Sequence, residues 1–180
     1  NQTYQMLLSI CYLVLKGLLQ TTTDGSVKMM QFLDEQRMSR LYEKFILEYY
    51  RKEHPEIHVS ASQIPWALDD GMNFMLPTMQ SDIMLSSNEK TLIVDAKYYS
   101  RTTQVQYDVH TLHSGNLYQI FTYVKNKAEG GGDVSGMLLY AKTDEVILPD
   151  AVYQMSGNKI SVRTLNLDCG FSEIAKQLDN

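Results

Sequence analysis

Asp82, Asp95 and Lys97 are the residues of this chain whose types and spacing most invite a chemical explanation. They sit in two apolar runs, Ser81-Asp82-Ile83-Met84-Leu85 and Leu92-Ile93-Val94-Asp95-Ala96-Lys97, separated by Ser87-Asn88-Glu89-Lys90. If the runs pair as a tight antiparallel hairpin around Asn88-Glu89, residue 87 faces 90 and Asp82 faces Asp95. The two Cβ atoms then stand about 5 Å apart on one side of the sheet. Lys97, two residues beyond Asp95, points to that side too. Leu92, Val94 and Ala96 point the other way, into a core with Ile83 and Leu85. Facing like charges destabilise a sheet, and Asp is a poor strand former. A divalent cation would turn the repulsion into coordination. Carboxylate oxygens, a backbone carbonyl and waters are what Mg²⁺ takes, and a nearby ammonium can orient a water or stabilise charge at phosphorus. The competing reading is a solvated hairpin face with scattered charges, and an odd turn length would separate the aspartates.

A helix expected from Met38 to Glu53, stopping before Pro55, supplies a third carboxylate. Arg40, Lys44, Glu48 and Arg51 form its polar arc, whereas Glu43 is flanked by Ile46, Leu47 and Tyr50 on the apolar side. A carboxylate there must find a partner: a metal on the neighbouring sheet, an Arg, or a backbone amide. A later helix, about Asn116 to Lys127, has Leu117, Ile120, Phe121 and Val124 as its expected core face. Gln119 and Tyr123 would lie opposite, with Asn116 and Asn126, either positioning substrate or Lys97 or forming an ordinary polar face. His110 and His113 have metal-ligand spacing but no matching second pair, so His113 reads better as a phosphate contact. Tyr98 and Tyr99 read as packing, and Trp66 as core.

Positioning these groups requires a mixed sheet flanked by helices, an α/β architecture. Strand-type runs are expected at Ile57–Leu68, Met72–Leu76, Ser81–Leu85 and Thr91–Tyr98, with turns at Asp69-Asp70-Gly71 and residues 87–90. Gly136–Ala141 is apolar without interruption, as a strand covered on both faces would be. A hairpin around Gly157-Asn158, joining Val152–Met155 to Lys159–Leu167, precedes a short final helix. The triple glycine at 130–132 reads as an exposed loop. Tyr4 to Gln20 reads as a buried amphipathic helix, because Gln5, Ser9, Lys16 and Gln20 fall on one stripe and the run is shorter than a membrane span. Residues 1–30 are thus expected as a helix and linker packing on the core, and residues 31–180 as the main domain, the C-terminal part of a longer protein.

The 180 residues, 44% hydrophobic and 21% charged, suit one ordinary globular domain. Cys11 and Cys169 form no redox or metal motif, which fits a reducing compartment. The formal net charge is −5. A domain gripping nucleic acid unaided would carry a basic stripe, so any such substrate needs a second source of affinity. Gly130-Gly131-Gly132 is not followed by Gly-Lys-Ser/Thr, so the chain has no phosphate loop for nucleotide hydrolysis.

The pattern of a helical Glu followed by Asp-x(n)-Asp-x-Lys resembles the PD-(D/E)xK nuclease superfamily. The residues around it are more specific. Met79-Gln80-Ser81-Asp82-Ile83, Lys90 to Tyr99, and His113-Ser114-Gly115-Asn116-Leu117-Tyr118-Gln119 resemble the McrC family, the nuclease subunits of McrBC modification-dependent restriction systems. Leu41-Tyr42-Glu43-Lys44-Phe45 matches that family's acidic helix, and the resemblance runs from about Met30 to Leu167. It implies a restriction-endonuclease-like core and Mg²⁺-assisted hydrolysis of DNA phosphodiesters. Asp82, Asp95, the Ala96 carbonyl and Glu43 would hold metal, Lys97 would assist the water, and Gln119, Tyr123 and His113 would contact substrate. It also implies a partner, an McrB-like AAA+ motor that uses GTP and recognises methylated double-stranded DNA. The setting would be the bacterial cytoplasm, with no membrane. Two such sites would be needed to cut both strands. One departure is Ser81, which stands where the superfamily name places proline. The part that contacts the motor is expected to lie outside this chain. The alternatives are another nuclease of the superfamily, acting in repair or recombination, and a catalytically silent scaffold subunit.

Overall fold

The computed structural model describes residues 24–99, 102–106 and 109–180, without the side chains of 24–34, 104–106 and 109. The expected helix at Tyr4–Gln20 lies outside the described residues. The chain divides into two compact units, Asn1–Gln36 and Arg37–Asn180. The helix that leads into the second unit, α1 (Asp24–Glu53), begins earlier than the expected Met38 and ends where expected, two residues before Pro55. Arg51 and Lys52 in its last turn complement the helix dipole. Among the described residues, no helix is long and apolar enough to cross a membrane.

Six strands build the central sheet: β1 (His58–Ser60), β4 (Ile83–Ser87), β5 (Lys90–Lys97), β8 (Asp133–Ala141), β10 (Asn158–Leu165) and β9 (Ala151–Met155), in that spatial order. The pairs β1–β4, β4–β5 and β10–β9 are antiparallel, while β5–β8 and β8–β10 are parallel. Two ribbons stand apart from it, β2 (Gln63–Ile64) with β3 (Met79–Gln80) and β6 (Thr103–Gln106) with β7 (Val109–Leu112). The parallel β5–β8 pairing demands a crossover, and that crossover contains α2 (Ser114–Ala128). A last helix, α3 (Phe171–Leu178), closes the chain.

Alternation along the strands separates two cores. Ile83, Leu85, Val94, Ala96, Leu139, Ala141 and Leu165 face Tyr42, Ile46, Tyr49 and Tyr50 of α1 and Ile174 and Leu178 of α3. Met84, Ile93, Leu138, Tyr140, Ile160 and Val162 face Ile120, Tyr123 and Val124 of α2. Strand β8 is covered on both sides, as its unbroken apolar run requires. Gly136 on β8 permits the close approach of α2: a Cβ there would lie 2.8 Å from Ile120 Cγ1 and Val124 Cγ2. The whole is a mixed α/β sheet flanked by helices, a restriction-endonuclease-like core.

Several expectations need correction. Met72–Leu76 forms no strand; Phe74 and Met75 sit in a turn and are exposed, and Met75 takes a positive φ of 63°. Among the described residues, no strand lies beside this mostly apolar run to pair with it. The run Ile57–Leu68 is broken into β1 and the two residues of β2, because Ser60-Ala61-Ser62 turns the chain from one sheet to another. Trp66 is half-buried at the rim of the α2-side core, its indole N–H donating to the Pro77 carbonyl at 2.6 Å. The last hairpin turns on Ser156-Gly157, both at positive φ, one residue earlier than expected.

Candidate functional site

The β4–β5 hairpin has the expected register. Ser87 pairs with Lys90, Leu85 with Leu92 and Ile83 with Val94. Asn88 takes a positive φ of 54° in the two-residue turn, a conformation Asn tolerates better than most residues. Ile83, Leu85, Val94 and Ala96 therefore enter the α1-side core, and Asp95 is left on the face that meets α2. Asp82 falls just beyond the last paired residue of β4 and is half-buried. Its Oδ2 reaches across to accept the Ala96 backbone N–H at 2.9 Å.

Asp95 is 1% exposed. Lys97 Nζ donates to its Oδ1 at 3.0 Å and lies 2.8 Å from Oδ2, an atom with no well-aligned hydrogen bond. Burial pushes the Asp95 carboxyl well above the usual range; the Lys97 charge opposes this, and Asp82 beside it adds to the rise. For Lys97, burial works to lower the pKa, but the charge and hydrogen bond of Asp95 outweigh it and leave the net shift upward. The ammonium therefore stays charged at neutral pH.

From α2, Gln119 Oε1 accepts from Lys97 Nζ at 3.1 Å, and Gln119 Nε2 donates to the Tyr123 hydroxyl at 3.0 Å. A continuous chain thus runs Asp95–Lys97–Gln119–Tyr123. This corrects the expected helix facing. Tyr123 and Asn116 are buried on the sheet side of α2, not opposite its core. Their polar atoms are matched by neighbours, so the helix can turn them inward without leaving unpaired groups.

Glu43 is half-buried on α1 and accepts from Ser39 Oγ at 3.1 Å. Burial and the Asp82 charge push its carboxyl up, while Ser39, Lys97 and Arg40 pull it down. It therefore shares the electrostatic environment of Asp82 and Lys97. His113 caps the N-terminus of α2 through its carbonyl, which accepts from Asn116 N–H at 3.0 Å. His110 is on β7 and meets Thr103 Oγ1 at 3.0 Å. Lys97, Glu43, Asp82, Asp95, Gln119 and Tyr123 are therefore brought together, and His113 stands at the near end of α2.

Among the described residues, no three His, Cys, Asp or Glu side chains gather as a ready-made metal site. Mg²⁺ does not need one, since it keeps several waters and is bound by one or two carboxylates plus phosphate. Two hard oxygen donors, one of them an oxygen without a well-aligned hydrogen bond, fit that demand.

Residues 1–141 match the family described as McrBC 5-methylcytosine restriction system component. The chain belongs to that family. It is also 32% identical over 169 residues to the type IV methyl-directed restriction enzyme EcoKMcrBC of Escherichia coli (strain K12), an alignment covering 91% of this chain and 48% of that protein. The chain thus spans about half the length of the curated relative it matches. All of the clustered residues, from Glu43 to Tyr123, fall inside the span matched to the McrBC family.

Asn116 does not stand out in the sequence as a site residue, yet it is tied into the cluster's frame. Its Nδ2 donates to the Tyr140 hydroxyl at 2.9 Å, and its Oδ1 accepts from the Tyr99 hydroxyl at 3.2 Å. The available signal was an Asn three residues before Gln119 on the same helix, which is helical spacing for a shared face.

Proposed function

We propose that this chain is the nuclease portion of a modification-dependent restriction complex, hydrolysing DNA phosphodiesters with Mg²⁺. The observation that carries the reading is the hydrogen-bonded chain Asp95–Lys97–Gln119–Tyr123 beside Asp82. Charge repulsion would disfavour two neighbouring aspartates at the end of this hairpin if there were no cation to hold. Asp82, Asp95 and the Ala96 carbonyl would hold the metal, with Glu43 as a further acidic neighbour. When bound, the ion would polarise a phosphoryl oxygen and lower the pKa of a water.

The rest of the chemistry falls to side chains of this chain. An ammonium has three N–H donors. Asp95 and Gln119 accept from two, which leaves a third for a water or a phosphoryl oxygen. Gln119 fixes the direction in which that donor points, and Tyr123 in turn fixes Gln119. Lys97 thus acts through charge and orientation at developing negative charge. On this reading His113, at the near end of α2, would contact a flanking phosphate.

A net charge of −5 gives the chain little grip on DNA by itself. The reading therefore includes an McrB-like AAA+ GTPase that selects methylated double-stranded DNA and delivers it, in the bacterial cytoplasm. It also assigns residues 31–180 to the nuclease domain.

The test is cleavage of methylated plasmid DNA by the full-length protein with its motor partner, Mg²⁺ and GTP, comparing wild type with Asp82→Ala. Cutting that the substitution abolishes supports the reading. Equal cutting by both removes Asp82 from the chemistry, and no cutting by either points to the scaffold role or another substrate.

A further inference from the structure

The two tyrosines that follow Lys97 do different work. Tyr98 packs into the α1-side core, its ring centroid 6.1 Å from that of Tyr42. Tyr99 turns the other way and keeps 37% of its surface exposed. Its hydroxyl is held by Asn116 Oδ1, its ring leans on His113 with centroids 5.5 Å apart, and Tyr140 lies 6.3 Å away.

Asn116, 8% exposed, is the holding element. Both ends of its amide are engaged, one by Tyr99 and the other by Tyr140. Tyr140 is fully buried and is the β8 residue paired with Lys97. Burying an amide is costly unless both ends are matched, and a leucine at 116 would contribute more apolar burial. The amide therefore serves orientation: it locks an exposed aromatic ring to the strand pair that presents Lys97. The same helix grips Lys97 itself three residues later through Gln119. Ring and ammonium are thus fixed to one frame.

A rigid aromatic face beside a phosphodiester site suits a nucleobase, since every base offers a π-face and stacking tolerates sequence. From this geometry we infer that Tyr99 is a substrate-contacting residue, stacking on a base next to the scissile phosphate, and that Asn116 is the positioning residue that aims it. The inference rests on the nuclease reading above.

The experiment uses the full-length protein with its motor partner, Mg²⁺ and GTP. Methylated DNA with thymine replaced throughout by 5-iodouracil is irradiated in the presence of the Asp82→Asn variant, so that the strand stays intact. The expected crosslink maps to Tyr99 in the tryptic peptide Tyr98–Arg101 and disappears when Tyr99→Leu is added. In the uncrosslinked reaction with native Asp82, Tyr99→Leu raises KM about fivefold or more with kcat less affected, and Asn116→Leu shifts KM in the same direction by less. A purely packing role would lower the melting temperature and the active fraction while leaving KM unchanged. Crosslinks confined to Tyr98 or to other peptides, or an unaltered KM in Tyr99→Leu, overturn the contact while leaving the nuclease reading intact. No cutting by wild type overturns the nuclease reading and the contact with it.

Discussion

The Asp82 carboxylate accepts the Ala96 backbone N–H at 2.9 Å, across the open end of the hairpin where strand pairing has stopped. One residue thus has two duties, closing a ladder and presenting negative charge. The two separate on substitution. Asp82→Asn keeps an acceptor oxygen, so the melting temperature should stay within a few degrees while cleavage falls by about 100-fold or more. Asp82→Ala leaves the N–H of buried Ala96 unmatched and should cost about 1–3 kcal/mol in addition. Urea titrations of both variants beside cleavage assays check this, and equal stabilities would show that the bond contributes little.

Gln119 acts on Lys97 and nothing else in the acidic cluster. Gln119→Leu should therefore lower kcat, by about 10- to 100-fold, more than it raises KM. Tyr123→Phe removes the second link and should cost about threefold to tenfold in the same parameter. Steady-state kinetics of the assembled complex give both. A Tyr123→Phe loss exceeding that of Gln119→Leu would mean that Tyr123 has a role of its own.

Gly136 sets how near α2 comes to the sheet. In Gly136→Ala the new Cβ would lie 2.8 Å from Ile120 Cγ1 and Val124 Cγ2, so the helix must move. Overpacking of this kind costs about 1–3 kcal/mol. Because α2 also supplies Gln119, cleavage should fall with stability, although the glycine touches none of the acidic residues. Trimming one of the two opposing side chains, as in Gly136→Ala with Val124→Ala, should restore part of the cleavage, since Ile120 Cγ1 still opposes the new Cβ. No recovery at all would show that Val124 is not what displaces the helix.

The end of α3 is clamped to Tyr49 of α1 and to His54 through Asp179. Asp179 Oδ1 accepts from the Tyr49 hydroxyl at 2.6 Å and meets His54 Nε2 at 2.9 Å, while His54 Nδ1 meets Glu56 at 3.1 Å. The hydrogen bond to Asp179 holds the His54 pKa above its ordinary value, against the downward pull of burial. The hydrogen bond from Tyr49 holds the Asp179 carboxyl below its own. A raised histidine stabilises fully below its unfolded pKa of about 6.5 and loses that contribution as pH rises through the folded value. A depressed aspartate stabilises above about 3.9 and loses its contribution as pH falls through the folded value. The clamp should be strongest between about pH 4 and 6.5, and modestly so, because Asp179 is 46% exposed. Thermal melts of wild type and Asp179→Asn at pH 5.5 and 8 check the sign: the gap between them should narrow at pH 8.

The hairpin of Asp82 and Asp95 was legible because strand alternation has a period of two and the turn is the shortest available. Those two facts fix which side chains share a face before any tertiary contact is known. The central strand was legible from Gly136 to Ala141 through its uninterrupted apolar residues, while its start at Asp133 was not. Met72–Leu76 misled because a mostly apolar run without a partner strand is not enough to make one. The β6–β7 ribbon went unread, since Thr103–Gln106 alternates weakly and its pairing partner is only apparent in three dimensions. The inward turn of Asn116 and Tyr123 was missed for a related reason: polar residues on a helix read as solvent-facing until matching groups, here Tyr140 and Gln119, are found at their tips.

The triple-glycine loop is exposed, as expected, and is also bonded to the hairpin turn. Asp133 N–H donates to the Glu89 carbonyl at 2.9 Å, and Gly132, at φ 94°, passes so close that any Cβ would stand 2.9 Å from that same oxygen. The turn is therefore gripped from outside, at the end of β5 remote from Asp95. A strand that slipped by one residue would carry an aspartate into the aliphatic core and would also forfeit this grip. Gly132 thus favours the one pairing in which both aspartates stay out of that core. A side chain at this position should show first as mispaired strands and lost folding yield rather than as slow catalysis.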